Sequence, residues 1–334
     1  MEPQTAVDEY IESRKHSDTA KATIKNYTYR LQRFVEFCER ADIDDVGDVT
    51  GRTCEQYKQA RLKNSEVSAY TVEQQLRTFR LFVRWCEGSD LITEGVSDKM
   101  VIPRIDSEST VRHESLDTER AEEIISYLRK HEYAQRTHIL FHTMWHTGMR
   151  LGSMRALDVD DLQKRDSVYI MRVRHRPDRG TPLKLKSAGE RNVTVGDEHL
   201  VEAIDDYLQL NRHDVEDDYG REPFIASRHG RLHKSSMRSA VYKIVRPCYY
   251  TAECPHDREI SECEATGHNQ YSKCPSSMYP HAIRSGSVTA HLSEDIPKEI
   301  LSERVNMSQE IMDKHYDERT EEDKRRDRQE YFTD

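Results

Sequence analysis

Thr147-Gly148-Met149-Arg150-Leu151-Gly152 is the stretch on which the reading of this chain turns. The residues before it, from about Gln135 to His146, have the composition of a helix, and Gly148 is placed to stop it. Arg150 then falls at the turn, where a side chain can project into a cleft. Two further stretches gain meaning beside it. Pro280-His281-Ala282-Ile283-Arg284 puts His281 and Arg284 three apart, on one face of a helix. Met312-Asp313-Lys314-His315-Tyr316 puts a tyrosine near the end of a further helix.

Between the first two stretches lies the only strong strand signal. Residues 167–174 (SVYIMRVR) alternate and are rich in β-branched side chains, and residues 191–195 (RNVTV) alternate too. The Pro- and Gly-containing segment between them reads as a hairpin that carries Lys184 and Lys186 on one face. Helices are expected over about 118–131, 197–211, 235–246, 280–293, 297–304 and 308–317. The tail from residue 318 is charged throughout. N-terminal to all this, Ser17 or Asp18 is placed to cap a helix over about 19–40, with Ile24, Tyr27, Leu31, Phe34 and Cys38 on its apolar face. A short helix follows Val49-Thr50. Another spans about 70–86 with Val72, Leu76, Phe79 and Val83 in one stripe. The polar, aperiodic segment around 103–115 separates the two halves. The expected fold is mostly α with a small β-sheet: a helical domain over 1–105, a linker over 106–115, and a mixed α/β domain over 116–334.

Composition narrows the function. The chain has 334 residues, 35% hydrophobic and 34% charged, with a net charge of -10. No window has the roughly 20 apolar residues of a membrane span, and no signal peptide is evident at the N-terminus. The cytoplasm is the expected location. An acidic balance argues against a polyanionic partner. Local clusters argue the other way: Arg172, Arg174, Arg176, Arg179, Lys184, Lys186 and Arg191 in one stretch, and Arg228, Arg231, Lys234, Arg238, Lys243 and Arg246 in another. The positive charge is mostly Arg, the better bidentate ligand for phosphate. An acidic chain poor in Lys also suits a high-salt cytoplasm.

The order and spacing of the motifs resemble the tyrosine recombinase (phage integrase) family. An Arg in a TGxR turn (Arg150), a Lys in a β-hairpin (Lys186, five residues before Arg191), an H-x-x-R pair (His281, Arg284) and a Tyr about thirty residues on (Tyr316) follow that pattern. The resemblance covers about 113–320, and the helical N-terminal part is similar to that family's SAM-like core-binding domain. It implies a site-specific recombinase or integrase that cuts and rejoins strands of double-stranded DNA through a covalent 3′-phosphotyrosine. It also implies assembly as a homotetramer on the recombination sites, with no cofactor needed for the chemistry. The acidic composition adds the expectation of an archaeal, halophilic member. Two other readings share these residues: a type IB topoisomerase-like enzyme, and a weakly active or non-catalytic DNA-binding protein with the recombinase fold.

The residue types suit the chemistry. Two guanidinium groups, Arg150 and Arg284, can neutralise the non-bridging phosphate oxygens and the charge that grows on them. The phenolic oxygen of Tyr316 can form the covalent intermediate. The departing 5′ oxygen needs a proton. In the family a hairpin Lys supplies it, which implies Lys186, with Lys184 as second choice. His281 acts as base or orients the phosphate. The sequence departs from the family at two positions. Ser153 replaces an acidic residue. Val305-Asn306-Met307 replaces a Leu-Gly-His turn, so that Met307, which donates no hydrogen bond to phosphate, holds the place of the second His. His315 is a candidate substitute.

Cys248, Cys254, Cys263 and Cys274 fall in one window of an insert over 248–275. Clustered Cys in a cytosolic chain point to metal more often than to disulfides. A structural zinc held by four thiolates, or by three with His256 or His268, is the expectation. Free buried thiols and a disulfide are the alternatives. Cys38, Cys54 and Cys86 lie on apolar stripes and read as core. His138, His142 and His146 recur along one helix face without the Glu of an HExxH site and read as packing or as lying near DNA.

Overall fold

The computed structural model describes residues 1–17, 19–64, 67–103, 114–294, 296–315, 325 and 329. The chain divides into two compact units, Met1–Arg112 and His113–Asp334.

The first unit is helical. α1 (Pro3–Lys15), α2 (Lys21–Arg40), α3 (Gly51–Leu62) and α4 (Ala69–Glu87) enclose an apolar core. α2 and α4 form where the apolar spacing places them, and Leu31, Phe34, Cys38, Val72, Leu76, Phe79 and Val83 are buried. At its centre Phe34 meets the rings of Tyr57, Phe79 and Phe82 at centroid separations of 5.6, 4.4 and 5.8 Å. Burial of each such ring contributes roughly 1.5–3 kcal/mol. α1 carries no strong sequence signal and forms because Ala6, Val7 and Tyr10 reach this core. The expected cap of α2 is corrected: the N-cap is Ala20, and the Ser17 hydroxyl instead donates to the carbonyl of Arg14. The other expected cap, Asp18, lies outside the described residues. Thr50 caps α3 and Ser68 caps α4.

The second unit is mixed. α5 (Thr118–His131), capped by Asp117, and α6 (Arg136–Thr147) lead to the short α7 (Leu151–Ala156). β1 (Leu162–Arg165), β2 (Val168–Val173) and β3 (Arg191–Val195) form one antiparallel sheet in that order, with Met171 opposite both Leu162 and Val193. β1 is too short and polar to signal itself in sequence. Its pairing with β2 creates it. α8 (Glu198–Asp206) and the two-residue pair β4 (Ala226–Ser227) and β5 (Gly230–Arg231) follow. α9 (Lys234–Ile244), a single turn at Pro247–Tyr250, α10 (Pro280–Ser293), α11 (Lys298–Val305) and α12 (Gln309–His315) complete the unit. The core packs Phe141, Met144, Met149, Met171, Val193, Ile204, Phe224, Val241 and Ile283. A smaller cluster of Val288, Leu301, Val305, Met307 and Met312 sits under the C-terminal helices. No described helix is long and apolar enough to cross a membrane.

Candidate active site

Gly148 ends α6 in the left-handed region, at φ 58°. A Cβ there would lie 2.9 Å from the Val305 side chain, so both backbone conformation and packing require glycine. The turn delivers Arg150 to the N-cap of α7. α7 is itself clamped. Arg155 donates from Nε to the carbonyl of Leu232 (2.8 Å) and from Nη1 to that of Gly180 (2.9 Å). The helix that starts at Arg150 is therefore fixed to the segment that runs on towards Lys186.

Pro280 opens α10, where its missing N–H costs nothing. His281, on the first turn, is exposed, with its ring stacked near Tyr279. Arg284, one turn further, is 1% exposed. Its Nη1 donates to the carbonyl of Gly148 (2.6 Å) and to that of Val305 (2.7 Å). One guanidinium thus joins the turn before Arg150 to the end of α11.

The turn after α11 closes the site from a third side. Asn306 takes a positive φ of 53°, a conformation that Asn tolerates better than most residues. Its Nδ2 donates to the carbonyl of Ala188 (2.7 Å), inside the turn Lys186–Gly189. Arg191 donates from Nε to the carbonyl of Arg304 (2.7 Å), and Arg304 donates in turn to the carbonyls of Thr194 and His146. The structure therefore draws the Arg150 turn, Arg284, the Lys186 turn and Val305–Met307 to one place.

β2 and β3 pair antiparallel as the expected hairpin, and the correction concerns the lysine segment between them. Residues 174–190 do not continue the alternation of β2 and β3, so Lys184 and Lys186 are not two positions on one strand face. Lys186 starts a single helical turn at φ 50°, a left-handed conformation rare for a side chain of this type. Both lysines are exposed.

Three arginines of the basic stretches are taken up inside the fold. Charges far away in sequence pair with them. Arg176 bonds both carboxylate oxygens of Asp161 (2.8 and 2.6 Å). Arg231 pairs with Asp217 (2.7 Å) and with Asp158. Arg246 is buried and donates to the carbonyl of Ala265 (2.6 Å). These arginines build the domain. Counting charge along the chain cannot see acids folded in from elsewhere.

Two residues gain a meaning that the motifs do not carry. Arg191 lies close enough to Arg150 for the two charges to act on each other. Burial first, then Arg150 and Arg304, bring its pKa down to about 10. Its Nη2 is buried and has no hydrogen-bond partner among the described residues. A guanidinium with an uncommitted donor beside Arg150 is suited to an anion. The only sequence signal for it is its register five residues after Lys186. Met307 is 7% exposed and packs in the C-terminal cluster, so a hydrophobic contact occupies the place of the family's second His. Ser153 is buried on α7, its N–H donating to the carbonyl of Arg150 (2.8 Å). Tyr316 lies outside the described residues, and the side chain of His315 is likewise not described.

His138 and His142 are buried, with rings stacked at 5.5 Å. His142 and His146 line a cavity of about 370 Å³ together with Trp145, Asp197 and His291. Burial holds the pKa of His138 and of His146 down to about 4, and that of His142 down to about 3. All three are neutral near pH 7, His138 and His142 within the core and His146 half-buried at the cavity. Among the described residues, no group of three or more His, Cys, Asp and Glu side chains is already set to hold a metal ion.

Comparison with known proteins identifies this arrangement. The phage integrase family model matches residues 114–322, and the model of the phage integrase N-terminal SAM-like domain matches residues 6–93. The chain belongs to the phage integrase family. Its activity is that of the family's site-specific tyrosine recombinases. The integrase of the Tn1549 transposon, solved in complex with transposon right end DNA, is similar over 100% of both chains, with a TM-score of 0.67 and 14% identity. Lambda integrase, solved as a dimer bound to a COC′ core site, is similar over 96% of this chain and 97% of its own, with a TM-score of 0.62 and 14% identity. At this identity the likeness concerns the fold. An N-terminal domain of a phage integrase from Haloarcula marismortui is 31% identical over 31% of this chain and 97% of its own, with a TM-score of 0.30. Among curated proteins, none matches the chain.

Proposed function

We propose that this integrase cuts and rejoins double-stranded DNA with Tyr316 as nucleophile, Arg150 and Arg284 on the scissile phosphate, Lys186 as general acid and His281 as base. The observation that carries the reading is the junction made by Arg284. Its bonds to Gly148 and Val305 bring the Arg150 turn and the segment leading to Tyr316 onto one guanidinium. The Tyr316 oxygen attacks phosphorus and its proton passes to His281. The bond from phosphorus to the 5′ oxygen breaks, and that oxygen takes a proton from Lys186. The phosphotyrosine keeps the energy of the broken bond, so attack by a 5′ hydroxyl reverses the step without ATP. Arg191 adds a third guanidinium beside Arg150 and supports phosphate binding where Met307 donates nothing.

DNA as the partner is supported by this cationic site and by the DNA-bound state of the similar integrases. Exchange between two duplexes cuts four strands, and each chain has one Tyr316, so the working unit is a homotetramer on paired sites. The acidic, Lys-poor composition fits a salt-adapted archaeal member acting in the cytoplasm. A DNA duplex nicked near the cleavage point tests the reading, because loss of the short fragment traps the covalent adduct. Tyr316→Phe, which removes only the hydroxyl, is expected to bind this duplex and form no adduct. An adduct with the Phe variant would reject the nucleophile. No adduct with the unaltered protein on its own recombination site would favour the non-catalytic reading that buried Met307 invites.

A further inference from the structure

The segment between the turn Pro247–Tyr250 and α10 has a defined course without a core to explain it. From residue 247 to residue 279 the buried apolar side chains are Ala265 and Cys274. Its regular structure is a set of single turns, Ile260–Glu262, Glu264–Thr266 and Tyr271–Lys273. A stretch of this length with so little apolar burial needs a cross-link of some kind.

Its anchors lie mainly at the two ends. Arg120 of α5 donates to the carbonyl of Val245 and the hydroxyl of Tyr250 at the entry, and to the carbonyl of Ser276 at the exit. Ser277 donates to the carbonyl of Tyr242. The middle is held by Arg246, which donates to the carbonyl of Ala265 and lies 5.0 Å from the Tyr271 ring.

The cysteines supply what the core does not. Ile260-Ser261-Glu262-Cys263 and Tyr271-Ser272-Lys273-Cys274 are two copies of one local design. Each is a single turn followed at once by a Cys, with φ and ψ of -70° and 122° at Cys263 and of -69° and 128° at Cys274. Each Cys carbonyl then accepts from the N–H three residues on, Thr266 in one case and Ser277 in the other. Two thiols are thereby presented by matched turns. Contacts beside the cysteines tie their segments together: Arg246, just before Cys248, donates to the carbonyl of Ala265, just after Cys263, and lies over the ring of Tyr271, just before Cys274, while His256, just after Cys254, bonds the hydroxyl of Ser276, just after Cys274. Four cysteines far apart in sequence thus lie on segments that are bonded to one another. The histidines offer less. His256 Nε2 bonds the Ser276 hydroxyl (2.8 Å), and His268 is exposed.

We propose that Cys248, Cys254, Cys263 and Cys274 bind one structural zinc ion that clasps this segment. Thiolates select a soft tetrahedral ion over hard cations. Zinc at about 2.3 Å from each sulfur would draw the four cysteine segments together, and that closure adds the missing cross-link. The clasp steadies the stretch that runs from Ser276 into His281.

Protein prepared without chelator is expected to contain about one zinc per chain by elemental analysis. Replacing the zinc with cobalt in the unaltered protein should give intense thiolate-to-cobalt absorption of a tetrahedral site. Cys263→Ser and Cys274→Ser should each lose the metal, and chelator should lower the melting temperature of the unaltered protein but not of these variants. After chelation and denaturation, all 7 Cys of the chain should react as free thiols. Metal-free protein whose insert thiols all react in the native state would overturn the proposal. So would a disulfide, read as two missing thiols, or a cobalt spectrum without thiolate bands. Retention of zinc by Cys248→Ser would overturn the four-thiolate set.

Discussion

Arg284 donates from Nη1 to the carbonyl of Gly148 at 2.6 Å, and the same nitrogen reaches the carbonyl of Val305 at 2.7 Å. The residue assigned to the phosphate therefore also holds together the turn that presents Arg150 and the helix end that precedes Met307. A guanidinium has five donors in a planar fork, and an ammonium has three on a flexible stem. Arg284→Lys keeps the charge and is expected to misplace both neighbours. Each buried carbonyl left without its donor costs about 1–3 kcal/mol. Single-turnover cleavage should fall by about two to three orders of magnitude, with a lower melting temperature. Unchanged cleavage would remove Arg284 from the site.

Gly148→Ala tests the turn itself. The substitution adds a Cβ 2.9 Å from Val305 at a φ of 58°. Strain of this kind costs about 1–3 kcal/mol. The shift should move Arg150 as well, so cleavage should drop more than DNA binding does. A variant that cleaves normally at unchanged melting temperature would show that the turn has slack.

Lys186 and Lys184 are separated by a chemical rescue. A substrate with sulfur at the 5′ bridging position has a leaving group that needs no proton. Cleavage by Lys186→Ala should be poor on the ordinary substrate and restored on the sulfur one. Arg150→Ala should stay poor on both, because sulfur leaves the phosphate charge unaltered. Rescue of Lys184→Ala in place of Lys186→Ala would transfer the role.

The buried histidines predict an acid limit. Burial holds His138 and His146 down to about 4 and His142 down to about 3, against an ordinary value near 6.5. Between those values the unfolded chain binds protons that the folded chain refuses. Their stabilisation is complete above about pH 6.5 and is lost as pH falls towards about 4. Equilibrium unfolding followed from pH 7.5 to 4.5 should show stability declining through that range. Replacing His138 and His142 with apolar residues of similar size should flatten the slope. An equal slope in that variant would place the acid sensitivity elsewhere.

Much of this protein was legible in its sequence because the signals are local. The apolar period of α2 and α4, the alternation of β2 and β3, the glycine that ends α6 and the proline that opens α10 each act within a few residues of themselves. The spacing of the motifs is legible for the same reason, since H-x-x-R is a statement about one helical turn. Only the tertiary structure decided what depends on distant partners. α1 exists because Tyr10 reaches a core built by α2, α3 and α4. The arginines at 176 and 231 are structural because Asp158, Asp161 and Asp217 fold against them. Lys186 leaves the strand alternation because the segment folds into a turn whose Ala188 carbonyl meets Asn306. Charge and hydrogen bonding act through space, and a one-dimensional pattern records only neighbours along the chain.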